Sequence, residues 1–302
     1  MPLLPSRSDP SVQHVDWGFP LYTAYSRFPY CRDRGLRHFI RDGVDIHPAD
    51  RILDVGCGIG ILGKIVAPYL QEGWVEGVDL NLKLIEFGRQ KIKSLKIRLY
   101  QGDARTLNYP AETFDTVMSM GLFENIDRGD TEAVLQEMLR VLKPHGKLAV
   151  IHLDIIHYIN CPPEAQFAQF WTDFLAGMRR LGADLELQRL LQVCQTRDIA
   201  WRTSAYDYGT VTPITEKLIS FYLEELVAIT PQIEKILDEM VEFNFQFLRD
   251  TYWTKDQIRA MALQTTSPAF QGPFLTTHLG QEYRRITPIM LYLFEKPETL
   301  NL

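Results

Sequence analysis

From Arg51 onward, short apolar runs alternate with amphipathic stretches. Strand patterns in RILDV, WVEGVD, IRLYQGD, FDTVMSM and KLAVIHL are interleaved with helical patterns in ILGKIVAPYL, LKLIEFGRQKIKSL and TEAVLQEMLRVL. Such alternation predicts a parallel sheet with helices on both faces. Ahead of it, residues 1–20 are rich in Pro, Ser and Asp and read as poorly ordered. The aromatic patch FPLYTAYSRFPY then leads into a helix expected from Cys31 to Arg41, with Gly43 as its stop. After Asp154 the rhythm becomes helical through about residue 263. Thr212 with Pro213 and Thr230 with Pro231 read as helix starts, and Thr254 with Gln257 as a capping box. Sheet patterning returns in FQGPFLTTHLG and RITPIMLYLFEK. Four segments follow: an aromatic and helical start at 1–50, an α/β core at 51–154, a helical insertion at 155–270 and closing strands at 271–302.

Composition narrows the classes. The chain has 302 residues and an apolar share of 46%, enough for a sizeable core with one large insertion. Lys and Arg total 32 against 38 for Asp and Glu, a net charge of −6, and no basic run could track a phosphate backbone, so no nucleic-acid partner is expected. No signal-peptide pattern and no membrane-length apolar run occur, which leads to the expectation of a cytoplasmic protein without membrane insertion. Cys31, Cys57, Cys161 and Cys194 are scattered without a C-x-x-C pair and read as reduced thiols, Cys57 as a small apolar residue.

The most constrained stretch is ILDVGCGIG, residues 52–60. Gly58, Gly60 and Gly63 spell the G-x-G-x-x-G of a dinucleotide turn, whereas Asp54, Gly56, Gly58 and Gly60 spell the acidic G-x-G-x-G turn of S-adenosylmethionine enzymes. Asp79, closing the second strand, serves a ribose in either case. Asp54 separates them: a carboxylate before the glycines faces a pyrophosphate unfavourably but suits a cofactor bearing an amino acid. Asp103, closing the third strand, can accept a hydrogen bond from an adenine amino group. Acids after strands one, two and three line the carboxyl edge, where open α/β sheets bind ligands.

With ILDVGCGIG, VEGVDLN, QGDARTL, FDTVMSM and MLRVLKPHGKLAV in this order, residues 51–153 resemble the class I S-adenosylmethionine-dependent methyltransferases. The resemblance implies a Rossmann-like α/β fold: a seven-stranded, mostly parallel sheet with an antiparallel last strand, here carrying a large helical insertion or lid. It implies S-adenosyl-L-methionine as cofactor and S-adenosyl-L-homocysteine as product. Asp54, Gly56, Gly58 and Gly60 would form the methionine-side turn, Asp79 with Leu80 the ribose site, and Asp103 with Ala104 the adenine site, with Ser119 beside them.

A weaker local resemblance ties SMGLFENI and VIHLDI to the cyclopropane-fatty-acid synthase branch, which implies Glu124 and His152 as candidate catalytic residues holding a base. The branch's usual His is Asn125 here, and Leu153 and Asp154 also depart from its pattern. His152 and Asp154 share a strand face and His157 follows, but strand-end polar residues commonly bond substrate or backbone, so no metal is expected. Most insertion aromatics, at helical spacing with Ile233, Ile236, Leu237, Met240, Phe243 and Phe247, are expected to form a core. The rest, represented by Trp171 and Tyr206, would wall a substrate pocket with Tyr22, Tyr25, Phe28 and Tyr30. The expected activity is N-, O- or C-methylation of a small, largely apolar or aromatic metabolite of secondary metabolism. Lipid cyclopropanation and an NAD-dependent oxidoreductase are the alternatives.

Overall fold

The computed structural model describes residues 34–123, 125–126, 129–153, 159–161, 165–181 and 185–298. Contacts divide the chain into two units. One comprises 26–154, 184–206 and 288–302, the other 1–25, 155–183 and 207–287.

In the first unit the apolar run at 51–55 becomes β1 (Arg51–Val55), buried along nearly its whole length. It pairs in parallel with β2 (Trp74–Asp79) on one side and β4 (Phe114–Met120) on the other. β3 (Ile97–Gln101) extends the sheet beyond β2, and β5 (Leu142–Leu153) beyond β4, again in parallel. The end of β8 (Glu282–Glu295) then pairs antiparallel with β5, from Lys147 opposite Glu295 to Leu153 opposite Ile289. β7 (Trp201–Pro213) also pairs β8, and β1 to β5 make the parallel part of an eight-stranded, mostly parallel sheet of the doubly wound kind. Helices α1 (Arg34–Val44), α2 (Ile61–Val66), α3 (Leu82–Lys91) and α4 (Thr131–Val141) accompany it. Buried Leu53, Val55, Val117, Leu148 and Val150 share one core with Val134, Leu135 and Met138 of α4.

Several boundaries differ from the sequence reading. α1 runs through Gly43 to Val44, so Gly43 is not its stop: a Cβ there would lie 2.6 Å from Leu291 Cδ2, and Asp45 takes the left-handed turn at φ 58°. Residues 185–196, expected in the insertion, form α6 (Leu185–Thr196) and belong to the first unit. Leu187, Leu190 and Cys194 on its apolar face join the main core, and the Thr131 hydroxyl donates to buried Glu186. WRTSAYDYGTVTP, expected to be helical, is β7; its Trp, Thr, Tyr and Val content favours a strand.

The second unit holds α5 (Ala165–Leu181), α7 (Glu216–Ile229), α8 (Ile233–Leu248), α9 (Lys255–Thr266), α10 (Pro268–Thr277) and the short β6 (Ile159–Cys161), which pairs with residues 284–286 of β8. Phe170, Phe174, Val241, Leu248 and Ile258 make its core. The Thr254–Gln257 capping box is present. α7 starts later than expected, because residues 212 and 213 still belong to β7; its cap is Thr215, whose hydroxyl accepts from Leu218 N–H at 3.2 Å. Thr230 and Pro231 sit in a 3₁₀ turn before α8. FQGPFLTTHLG, read as a strand, is mostly α10: Gln271 and Leu275 bury one helical face, and Phe270 and Phe274 stack four residues apart at 6.4 Å.

Candidate cofactor site at the carboxyl edge

The chain leaves β1 through Gly56, Gly58 and Gly60, at φ of 72°, 53° and 82°. This left-handed region is open to glycine without steric cost. A Cβ on Gly56 would also lie 2.8 Å from Leu122 Cδ1. Gly56 N–H and Cys57 N–H donate to Val78 O at 2.8 and 3.0 Å, which folds the turn against the end of β2. Cys57 packs with Ile85, Ile97 and Leu99, and burial pushes its thiol well above the usual range, in keeping with a small apolar residue.

Asp79 closes β2 beside this turn. Its Oδ2 accepts from Gly58 N–H and its Oδ1 from Asn81 N–H, both at 2.8 Å. Burial raises its pKa, and those two N–H groups oppose the rise. A carboxylate has about four acceptor positions, so two remain, one on each oxygen.

Asp54 is the opposite case. It is 1% exposed, and neither carboxylate oxygen has a hydrogen-bond partner of full geometry. Burial pushes its pKa up to about 8; neighbouring Asp79 adds to the rise and the Gly63 backbone opposes it. A buried carboxyl group left this way costs free energy until a donor or cation reaches it.

Asp103 lies in the loop after β3, in the grip of Arg105. Arg105 Nη2 meets Oδ2 at 2.7 Å, Nε spans both oxygens at 3.0 and 3.1 Å, and Arg105 N–H donates to Oδ1 at 2.9 Å. The guanidinium lowers the Asp103 pKa. Arg105 Nη1 also reaches Asp130 at 3.2 Å, just before α4. A second clamp fastens the same loop: Leu107 N–H donates to Glu137, and Arg140 donates to the carbonyls of Leu107 and Tyr109. Sequence reasoning missed Arg105, although an Arg two residues past a strand-end Asp was a legible signal. Leu80 is 63% exposed, and Ala104 packs partly buried against the main core.

The remaining candidates separate. Asp54 pairs in register with Met118, so the next residue, Ser119, stands on the opposite face of the sheet. Ser119 is fully buried, with a partnerless hydroxyl, beside its register partner Val150. His152 is 5% exposed and falls on the face of Ser119 and Val150. Asn125 donates to Gly121 O at 2.6 Å, tying down the loop after β4. Trp171 packs against Phe170 and Phe174 in the aromatic core of the second unit, with ring centroids 5.6 Å apart in both pairs, and Tyr206 in the first stacks on Phe39 at 5.4 Å. Tyr22, Tyr25, Phe28, Tyr30, Glu124, Asp154 and His157 lie outside the described residues. Among the described residues, no three His, Cys, Asp or Glu side chains gather as a metal site would require, and no helix is long and apolar enough to cross a membrane.

Residues 52–146 match the family model described as a methyltransferase domain. With its sheet order and acidic glycine turn, this segment is similar to the class I S-adenosylmethionine-dependent methyltransferases. The chain is 37% identical, over 115 residues, to a demethylmenaquinone methyltransferase of Lactobacillus johnsonii, covering 35% of this chain and 45% of the relative. A phosphoethanolamine N-methyltransferase 3 of Arabidopsis thaliana is 25% identical over 211 residues, covering 68% of this chain and 38% of the relative. The chain spans about half the length of the first demethylmenaquinone methyltransferases it matches. A crystal structure from Anabaena variabilis, described as a methyltransferase from an antibiotic biosynthesis pathway, shares the fold at a TM-score of 0.50 and 17% identity, covering 85% of this chain and 95% of that one.

The residues present fit the cofactor of this class. Partnerless Asp54 suits an ammonium group, the two open acceptor positions of Asp79 suit paired ribose hydroxyls, and Asp103 is an ionised acceptor for an amino group. A dinucleotide fits less well, because buried Asp54 would face pyrophosphate charge.

Proposed function

We propose that this chain transfers the methyl group of S-adenosylmethionine to a small, largely apolar or aromatic metabolite. The observation that carries the reading is the buried, partnerless carboxyl of Asp54 at a left-handed glycine turn, a place that asks for a cation. When bound, the cofactor supplies an electrophilic methyl on a sulfonium, open to in-line displacement. The chain's own share is largely positioning: Asp54 orients the ammonium group, Asp79 the ribose hydroxyls and Asp103 the adenine amine. Holding an acceptor atom about 3 to 3.5 Å from the methyl carbon then supplies much of the rate. For an acceptor that must lose a proton, His152, buried on β5, is the candidate base, with Glu124 as its candidate companion. A small acceptor is supported by relatives named for demethylmenaquinone and phosphoethanolamine, and by a net charge of −6 that disfavours RNA.

Two experiments test the proposal. S-adenosylhomocysteine at saturation should raise the melting temperature, since a ligand selective for the folded state stabilises it, and NADH should not. A screen of phenols, quinols and amines with methyl-labelled cofactor should then yield a labelled product. A melting shift with NADH alone would overturn the cofactor assignment.

A further inference from the structure

We propose that Arg105 is a positioning residue that makes the cofactor site selective for an amino-bearing purine, by leaving the Asp103 carboxylate one open acceptor position in a fixed direction. The inference rests on the proposed adenine-binding role of Asp103 and adds to it the group that sets its direction.

The argument starts from how many hydrogen bonds a carboxylate accepts. Two oxygens offer about four positions. On Oδ1, Arg105 N–H at 2.9 Å and Arg105 Nε at 3.0 Å take both. On Oδ2, Arg105 Nη2 at 2.7 Å takes one, with Nε shared at 3.1 Å. One position on Oδ2 is left. A single ionised acceptor suits one N–H of an exocyclic amine and repels the carbonyl oxygen that hypoxanthine carries at the same place. Lys in place of Arg would keep the charge but lose the planar fork that fixes the direction.

The fork is itself held. Arg105 Nη1 reaches Asp130 at 3.2 Å, and the loop that carries both Asp103 and Arg105 is fastened to α4 by Glu137 and Arg140. Among the described residues, the charged groups facing Asp103 are Arg105 and, through it, Asp130.

The test measures binding, not turnover. S-adenosylhomocysteine and its hypoxanthine counterpart, S-inosylhomocysteine, are titrated calorimetrically into wild type, Arg105→Met, Arg105→Lys and Asp103→Asn at pH 7, each variant being checked by its melting curve. Wild type should prefer the adenine ligand by about 100-fold, the worth of one charge-assisted hydrogen bond plus an avoided repulsion. Arg105→Met should lower that ratio by about tenfold. Arg105→Lys, which keeps the charge without the planar fork, should restore only part of the ratio, and it carries the test if Arg105→Met does not fold. A folded Arg105→Met with the wild-type ratio would overturn the role of Arg105 while leaving that of Asp103 intact, provided Asp103→Asn loses the preference. An Asp103→Asn variant with full preference would overturn the adenine reading itself, and with it the inference.

Discussion

Asp54 and Asp103 stand at the ends of the same candidate site and occupy opposite electrostatic states. Asp54 is sealed in the sheet with no full hydrogen bond, and burial pushes its pKa up to about 8. Asp103 sits partly exposed against a guanidinium that pulls its pKa down. One residue type thus yields a neutral acid awaiting a cation at the glycine turn and a permanent anion at the far end, with Asp79 between them anchored by two backbone N–H groups. The difference lies in what surrounds each group: solvent and a partner for one, neither for the other.

The largest break in this contrast should come from Asp54→Asn. Removing one partner of a buried charge pair costs several kcal/mol, so S-adenosylhomocysteine affinity should fall about 100-fold or more by calorimetry. The ligand-free protein should respond differently. Asp54 binds its proton more tightly when folded, so its contribution to stability is full below the carboxylate range and is lost as pH rises toward about 8. Denaturant melts from pH 5 to pH 8 should show that decline in wild type and a flatter profile in Asp54→Asn. Equal slopes would mean that Asp54 is ionised in the ligand-free fold.

Next in size, Asp79→Ala should cost roughly 1.5 to 3 kcal/mol of cofactor binding by calorimetry. Gly58 and Asn81 N–H would lose their acceptor in the same variant, so some stability should go with the affinity. Gly56→Ala should destabilise the fold by about 1 to 3 kcal/mol in chemical denaturation, because a side chain is strained at φ 72° and would crowd Leu122. Smallest is Lys143→Met, which breaks the partly exposed Asp115–Lys143 pair near the opposite, amino-terminal edge of the sheet. Solvent screening limits that pair to less than about 1 kcal/mol, and cofactor affinity should not change.

Legibility followed locality. Strands β1 to β5 and their acids could be read from local alternation, because each apolar run is bounded by its own turn residues. RITPIMLYLFEK was legible too, as the strand that became β8, but two other elements were not. Trp201–Pro213 lies among helices, and its strand-favouring Thr, Tyr and Val content is decided by pairing with β8; Pro268–Thr277 mixes Gly, Pro and Phe in a way that fits either period, and the buried face through Gln271 and Leu275 decides for a helix. The allegiance of α6 to the main core depends on Leu187 and Leu190 meeting α4, a contact across more than 50 residues of sequence that no local window contains. Within the site, Asp54, Asp79 and Asp103 were legible by position, but their protonation tendencies depend on burial, which appears only in three dimensions, and on Arg105, whose place two residues past Asp103 was a signal left unread.

The most direct test of the central claim, that the glycine turn holds a cationic amino-acid cofactor against Asp54, is to count protons on binding. Titrating S-adenosylhomocysteine at pH 7 in buffers of different ionisation enthalpy gives that number. Because Asp54 is largely protonated in the ligand-free site and should ionise against the ligand's ammonium group, wild type should release about one proton and Asp54→Asn none. Tight binding with no proton release in wild type, or the same release in Asp54→Asn, would contradict the claim.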